Sequence, residues 1–511
     1  MNQALIFTLL ILLFLTTLAH AQGDPKNDYA RSQMGKMGSS PDSIDVFLKS
    51  RMKNSGIPGL QLAVIRKGKI VKLAHYGIAN IQDSIPANDE TSFSINSMTK
   101  AFVGVAVMQL AEEGKLDLDA PVSQYLDSLP MEWRPATIRQ LLTHTSGLPN
   151  IMGVNNDKMI REGEENAAWK ELLTLPMQFK PGERFSYCQT NYLLIGKIID
   201  KLCQEPFIKF IQDRQLNVAG MPVTRFGDGH EVWPHNARGY TFNHIIDGQF
   251  HRTDKLGNVF EEFPPFLRTA AGMYSTAGEL ARWVIALQQG RLLKKGSSID
   301  LLWTPGLLNN GSQAGFSRFM NGYALGWPAV TRPEHRALAP IGGGRSALFV
   351  YPDDSLAIVV LTNLQGANPE ILMDEIAGYY IPEMHAYNGF GLGPSVKKLN
   401  TELRKRGFEN ALATVEELKK GDTSFHYLES NVNIWGYALL EHNENKAALA
   451  MFKVNASMFP ESWNAYDSYG EALLKTGDEA NAIKMYRKSV ALNPGNENGR
   501  KVLERLLKNG G

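Results

Sequence analysis

The stretch "SINSMTKAF", residues 94–102, places Ser97 three positions ahead of Lys100 at the head of an apolar run, "FVGVAVMQLAEEGKL". Positions i and i+3 share a helix face, so in a first helical turn Lys100 would stand beside the Ser97 hydroxyl. A mostly buried, nearly uncharged helix is expected over 101–111, stopping near Gly114. Burial and the helix dipole both push a lysine there toward the neutral amine, which can receive a proton. Ser-x-x-Lys also occurs at Ser50/Lys53 and Ser395/Lys398, so spacing alone does not choose. Those two pairs lie in charged stretches and read as solvated surface.

On either side of this helix the chain reads as strands. "IPGLQLAVIRKGKIVKLAHYG" (57–77) predicts two strands around a Lys67-Gly68-Lys69 turn, and "SALFVYPDDSLAIVVLTNL" (346–364) predicts strand, Pro-Asp-Asp turn, strand. Strands at both ends with helices between them predict an α+β domain over 41–390, an antiparallel sheet pairing distant segments and flanked by helices, together with a helical subdomain.

After about residue 395 only helical patterns remain, and a 34-residue period appears. Gly436 and Gly470, Ala448 and Ala482, Phe452 and Tyr486, and Pro460 and Pro494 fall in register. Small residues that let helices approach, an aromatic that fills the gap and a terminating proline resemble the tetratricopeptide repeat over 431–508. Two such units bury too little alone, so 395–430, including "GFENALATVEELKK" (407–420), is expected to supply a helical linker or a degenerate earlier pair. This all-α tail would offer a groove to a protein partner or serve as a helical cap.

The composition, 43 % hydrophobic and 21 % charged over 511 residues with a formal charge of +1, is that of an ordinary globular chain. It gives no global field to attract nucleic acid or an anionic membrane. "ALIFTLLILLFLTTL" followed by Ala19-His20-Ala21 reads as an export signal over 1–21, with an uncleaved anchor as the alternative, and 22–40 reads as a linker. A periplasmic or extracellular location is expected. No later stretch approaches the roughly eighteen apolar residues that a membrane span needs. The two cysteines, Cys188 and Cys203, exclude a disulfide scaffold and leave pairing open. No His/Asp/Glu cluster has metal-ligand spacing, and no cofactor is implied.

"FSINSMTKAF" (93–102), "IRQLLTHTSGLP" (138–149), "PGERFSYCQTNYLLIGKIID" (181–200), "AGMYSTAGELARW" (271–283) and "YALGW" (323–327) together resemble the serine β-lactamase-related superfamily. This group includes class C β-lactamases, penicillin-binding D,D-peptidases and related esterases. The resemblance implies Ser97 as acylated nucleophile, Lys100 as its proton partner and Tyr187, as a phenolate, in the role of general base. Two departures stand out. Gln189 replaces the usual asparagine of the Tyr-x-Asn element, offering the same amide one methylene further out. The Lys/His-Thr/Ser-Gly strand is missing in its usual form, and "EHRALAPIGGGRSALFVYP" (334–352) occupies its place.

Within that segment His335 is the nearest match, and Gly342-Gly343-Gly344-Arg345 is the alternative. Gly342, Gly343 and Gly344 would allow close backbone approach to a substrate, and Arg345 would supply the missing cation for a substrate carboxylate. His144 reads as structural, satisfied within its loop. The resemblance implies a secreted serine hydrolase acting through an acyl-enzyme on a small-molecule or peptide substrate, of esterase or D-amino-acid peptidase type. The alternatives are a catalytically weak binding protein and a true β-lactamase or D,D-carboxypeptidase.

Overall fold

The computed structural model describes residues 42–153, 163–246, 249–426 and 428–509. The export segment and the linker lie outside them. The chain divides into two compact units at Met373/Asp374, ahead of the boundary near 390 expected from the change in sequence texture.

The first unit is built on a mixed-in-sequence but antiparallel sheet, nine-stranded among the described residues. Strand Gly59–Arg66 is apolar and buried on both faces up to its last residue. It pairs on one side with Lys69–Asn80 through the two-residue turn Lys67-Gly68, both at positive φ (50° and 71°), the handedness that matches strand twist in a tight hairpin. On its other side it pairs with Leu356–Thr362, in register Leu60↔Thr362 to Arg66↔Leu356. That strand pairs in turn with Ser346–Tyr351 across the Pro-Asp-Asp turn. Both predicted hairpins are present, and a span of some three hundred residues closes between them.

Helix Thr99–Glu112 is buried from Thr99 through Leu110, as a helix apolar all round must be, and Gly114 follows at φ 70°. Two glycines let the chain cross it closely. A Cβ on Gly104 would lie 2.0 Å from the Leu325 carbonyl oxygen, and one on Gly326 2.4 Å from that of Lys100, so "YALGW" lies directly against this helix. Phe102 stacks on Trp283 at 4.0 Å between ring centroids, and Trp283 on Trp327 at 5.7 Å, pairs that contribute about 0.5–1.5 kcal/mol each beyond their buried area. A small sheet pairs Phe93–Ser94 with Met273–Ser275, which brings the segment after Arg268 to the head of the helix. The fold is α+β.

The second unit is helical. Its regular helices run Pro394–Arg406, Ala411–Gly421, Glu429–Glu441, Asn445–Met458, Trp463–Lys475, Glu479–Leu492 and Glu497–Asn509. The 34-residue period has a physical counterpart: a Cβ on Gly436 would meet the Phe452 ring at 2.6 Å, and one on Gly470 the Tyr486 ring at 3.0 Å. Ala448 and Ala482 are fully buried. In the 395–430 region, helices Pro394–Arg406 and Ala411–Gly421 form a pair.

Candidate active site

The nucleophile candidate sits on a tight turn. Asn96 adopts a left-handed conformation (φ 48°) held by its amide bond to Ser94 Oγ at 2.9 Å. Ser97 then occupies a 3-10 turn, Asn96–Met98, that runs straight into helix Thr99–Glu112. One helical turn later Lys100 places Nζ 3.3 Å from Ser97 Oγ and donates to the Ala270 carbonyl at 2.6 Å. Lys100 is fully buried with no carboxylate paired to it among the described residues, and desolvation pushes its ammonium well below the usual lysine range. The other two Ser-x-x-Lys pairs differ as expected: Ser50 and Lys53 are exposed, and Lys398 is paired with Asp422 at 2.6 Å.

Tyr187 comes from the loop that precedes helix Gln189–Cys203. Its hydroxyl lies within the influence of the Ser97 and Gln189 side chains, which favour the charged form, and Lys100 Nζ stands 4.7 Å over its ring. Burial pushes the phenol upward, and these two contacts do not offset it. The phenolate expected of Tyr187 is therefore disfavoured, because burial works against the charged form more than these contacts favour it. Gln189 keeps its Oε1 buried and without a hydrogen-bond partner among the described residues.

His144 does more than satisfy its loop. Its Nδ1 accepts from the Cys188 backbone N–H at 3.1 Å, which leaves the proton on Nε2, buried without an acceptor. The ring lies 4.3 Å from that of Tyr187 and edge-on to Tyr323 at 4.8 Å. Desolvation holds its imidazolium well below the usual histidine range. His144 thus backs Tyr187, and neither it nor the Ala270 carbonyl could be found from spacing, because both act through contacts made by folding. Cys188 and Cys203 are free thiols.

The glycine segment meets the nucleophile turn itself. A Cβ on Gly342 would lie 2.0 Å from the Ile95 carbonyl oxygen, and one on Gly343 2.7 Å from the Asn96 side chain; Ser346 Oγ donates to the same Ile95 oxygen at 2.9 Å. Gly343 and Gly344 are left-handed (φ 57° and 62°). The close approach expected toward a substrate is made instead to the turn that carries Ser97.

The two cation candidates do not serve that site. Arg345 is buried against Glu261 at 3.3 Å and lines a cavity of about 240 Å³ with Ser94, Trp233 and Tyr274, which none of Ser97, Lys100 and Tyr187 lines. Its charge is already matched. His335 lies before strand Ala337–Leu338 with Nδ1 2.9 Å from Asp354, which follows Tyr351 at the far end of strand Ser346–Tyr351. Five strand steps, roughly 17 Å, separate that end from Ser346, which touches Ile95. His335 is a turn residue.

Ser97 and a buried Lys100 at the head of a core helix, with a tyrosine beside the serine and a glycine strand against its turn, form a site of the β-lactamase type. The chain belongs to the Beta-lactamase family, whose pattern matches residues 44–378. It is 27% identical over 335 residues to Protein flp of Staphylococcus aureus (strain MRSA252), covering 64% of this chain and 63% of that protein. The chain thus spans less than two thirds of that relative's length. It is 28% identical over 296 residues to the Putative penicillin-binding protein PbpX of Bacillus subtilis (strain 168), covering 57% of this chain and 70% of that one. The octameric penicillin-binding protein homologue from Pyrococcus abyssi superposes with a TM-score of 0.56 at 24% identity, over 66% of this chain and 77% of that one, a likeness of fold.

Proposed function

We propose that this protein is an exported serine hydrolase that forms an acyl-enzyme at Ser97 and cleaves esters or amides of the D-amino-acid peptide type. The observation that carries the reading is the fully buried Lys100, paired to no carboxylate among the described residues, with Nζ 3.3 Å from Ser97 Oγ. A neutral amine takes the hydroxyl proton as oxygen attacks the acyl carbon, while its remaining hydrogens hold the Ala270 carbonyl. Tyr187, protonated and beside Ser97, carries a proton between Lys100 and the leaving group, and the same pair activates the water that releases the acyl chain. The Ser97 N–H and the glycine strand beside it are the candidates for holding the oxyanion.

The unpartnered Gln189 oxygen offers an acceptor to a substrate N–H, which favours an amide or amino substrate. The pairing of Arg345 with Glu261 and of His335 with Asp354 argues against a carboxylate-anchored β-lactam or D,D-carboxypeptidase substrate. Export rests on the apolar run and small-x-small pattern of 1–21. The recurring Gly-to-aromatic contacts support the tetratricopeptide reading of the tail, whose groove would take a protein partner.

The test is intact-mass spectrometry of the purified protein after a fluorophosphonate and, separately, after a penicillin, with Ser97→Ala as control. An adduct on the wild type that is absent from the variant supports the reading. A folded wild type that takes neither reagent overturns it in favour of a binding protein, and rapid turnover of the penicillin restores the β-lactamase reading.

A further inference from the structure

Three ligating side chains converge within the helical unit. Glu375 belongs to the short helix Met373–Gly378, His385 stands between the 3-10 turns Pro382–Met384 and Ala386–Asn388, and His442 caps the C-terminus of helix Glu429–Glu441. Glu375 Oε1 lies 2.7 Å from His385 Nδ1 and 2.7 Å from His442 Nε2, and all three atoms fall within 4.8 Å of one another. Both rings converge on one oxygen, while the second, Oε2, takes only a 3.4 Å bond from the Ala386 N–H. Donors that merely satisfied a carboxylate would spread over its roughly four lone-pair sites.

We propose that Glu375, His385 and His442 bind one divalent transition-metal ion, Zn²⁺ being the best fit, which ties the first residues of the helical unit to its helix Glu429–Glu441. Two imidazoles and a carboxylate suit zinc and its neighbours in the first row, and they suit the oxygen-seeking Ca²⁺ and Mg²⁺ poorly. Tetrahedral zinc with bonds of about 2.0–2.1 Å sets its ligand atoms roughly 3.3 Å apart. To reach it the nitrogens withdraw by roughly 0.6 Å from Oε1, close on each other by up to roughly 1.5 Å from a separation within 4.8 Å, and turn lone pairs inward by a change of tautomer. Water completes the set, and the partly exposed His442 side chain leaves it a path.

The surroundings hold the ligands in place, as metal sites require. The His385 ring lies flush on the backbone at Gly378, where a Cβ would come within 2.5 Å of Nδ1. It stacks on Tyr387 at 5.0 Å between centroids; Tyr387 also stands 4.3 Å from the His442 ring, and its carbonyl accepts from Trp435 Nε1 at 2.8 Å. Arg404, over the Tyr387 ring, is paired with Glu444 at 2.6 Å. The residues are 10 and 57 positions apart in the chain, which is why the sequence suggested no metal site.

The experiment is titration of the chelator-stripped full-length protein with Zn²⁺ by calorimetry and with Co²⁺ by visible absorption at neutral pH. The wild type is expected to take one equivalent, show tetrahedral Co²⁺ bands and melt higher with Zn²⁺. His442→Ala, and separately Glu375→Gln, should weaken binding by about 100-fold or more while fluorophosphonate labelling at Ser97 is unchanged. A stripped, folded wild type that takes up neither metal overturns the proposal, as does an equivalent that survives undiminished in both variants.

Discussion

Replacing Gly342 by alanine tests whether the glycine strand sets the position of Ser97. The new Cβ would fall 2.0 Å from the Ile95 carbonyl oxygen, 2.9 Å from its carbon and 2.8 Å from Ser346 Oγ. The first two are backbone atoms that cannot rotate away. Opening the gap to ordinary contact requires roughly 1.4 Å of backbone movement, two residues from Ser97. A misplacement near 1 Å costs a reaction about 100-fold, or about 2.7 kcal/mol of transition-state energy. Overpacking costs about 1–3 kcal/mol of stability. The second-order rate of fluorophosphonate labelling should therefore fall about 100-fold with a drop of only a few degrees in Tm. Gly296→Ala, where a Cβ meets nothing within 4 Å, should change neither. A folded Gly342→Ala that is labelled at the wild-type rate refutes the reasoning.

Lys100→Met should abolish labelling yet stabilise the fold at neutral pH. The unfolded chain protonates this lysine below its ordinary range and the folded one does not, so wild-type stability rises with pH and the variant's advantage shrinks toward pH ~10; urea melts at pH 7 and 10 check the sign. Glu370 is buried, with its carboxyl pushed up to about 7. The wild type should lose about 3 kcal/mol against Glu370→Gln as pH rises from about 4.5 through 7, and a constant difference in denaturant melts would exclude this. In the helical unit, Gly436→Ala forces the Phe452 ring aside and should cost about 1–3 kcal/mol, and Gly470→Ala, at 3.0 Å from Tyr486, should cost less in thermal melts.

The fold elements governed by local periodicity were legible in the chain alone. The two hairpins, the buried helix after Ser97 and the 34-residue period of the tail each follow from side-chain alternation, turn residues or a repeat spacing, and those patterns survive folding because burial enforces them. The same stretch presented Ser97 and Lys100 together, since one helical turn fixes their proximity. Tertiary structure decided everything that depends on segments far apart in sequence. It put Ala270 under Lys100 and His144 behind Tyr187, and it turned Arg345 onto Glu261 and His335 onto Asp354. It also buried Tyr187, and that burial works against the phenolate. Glu375, His385 and His442 met for the same reason: a ligand set is defined by distance in space, and sequence spacing reports that distance only within a turn or a strand step.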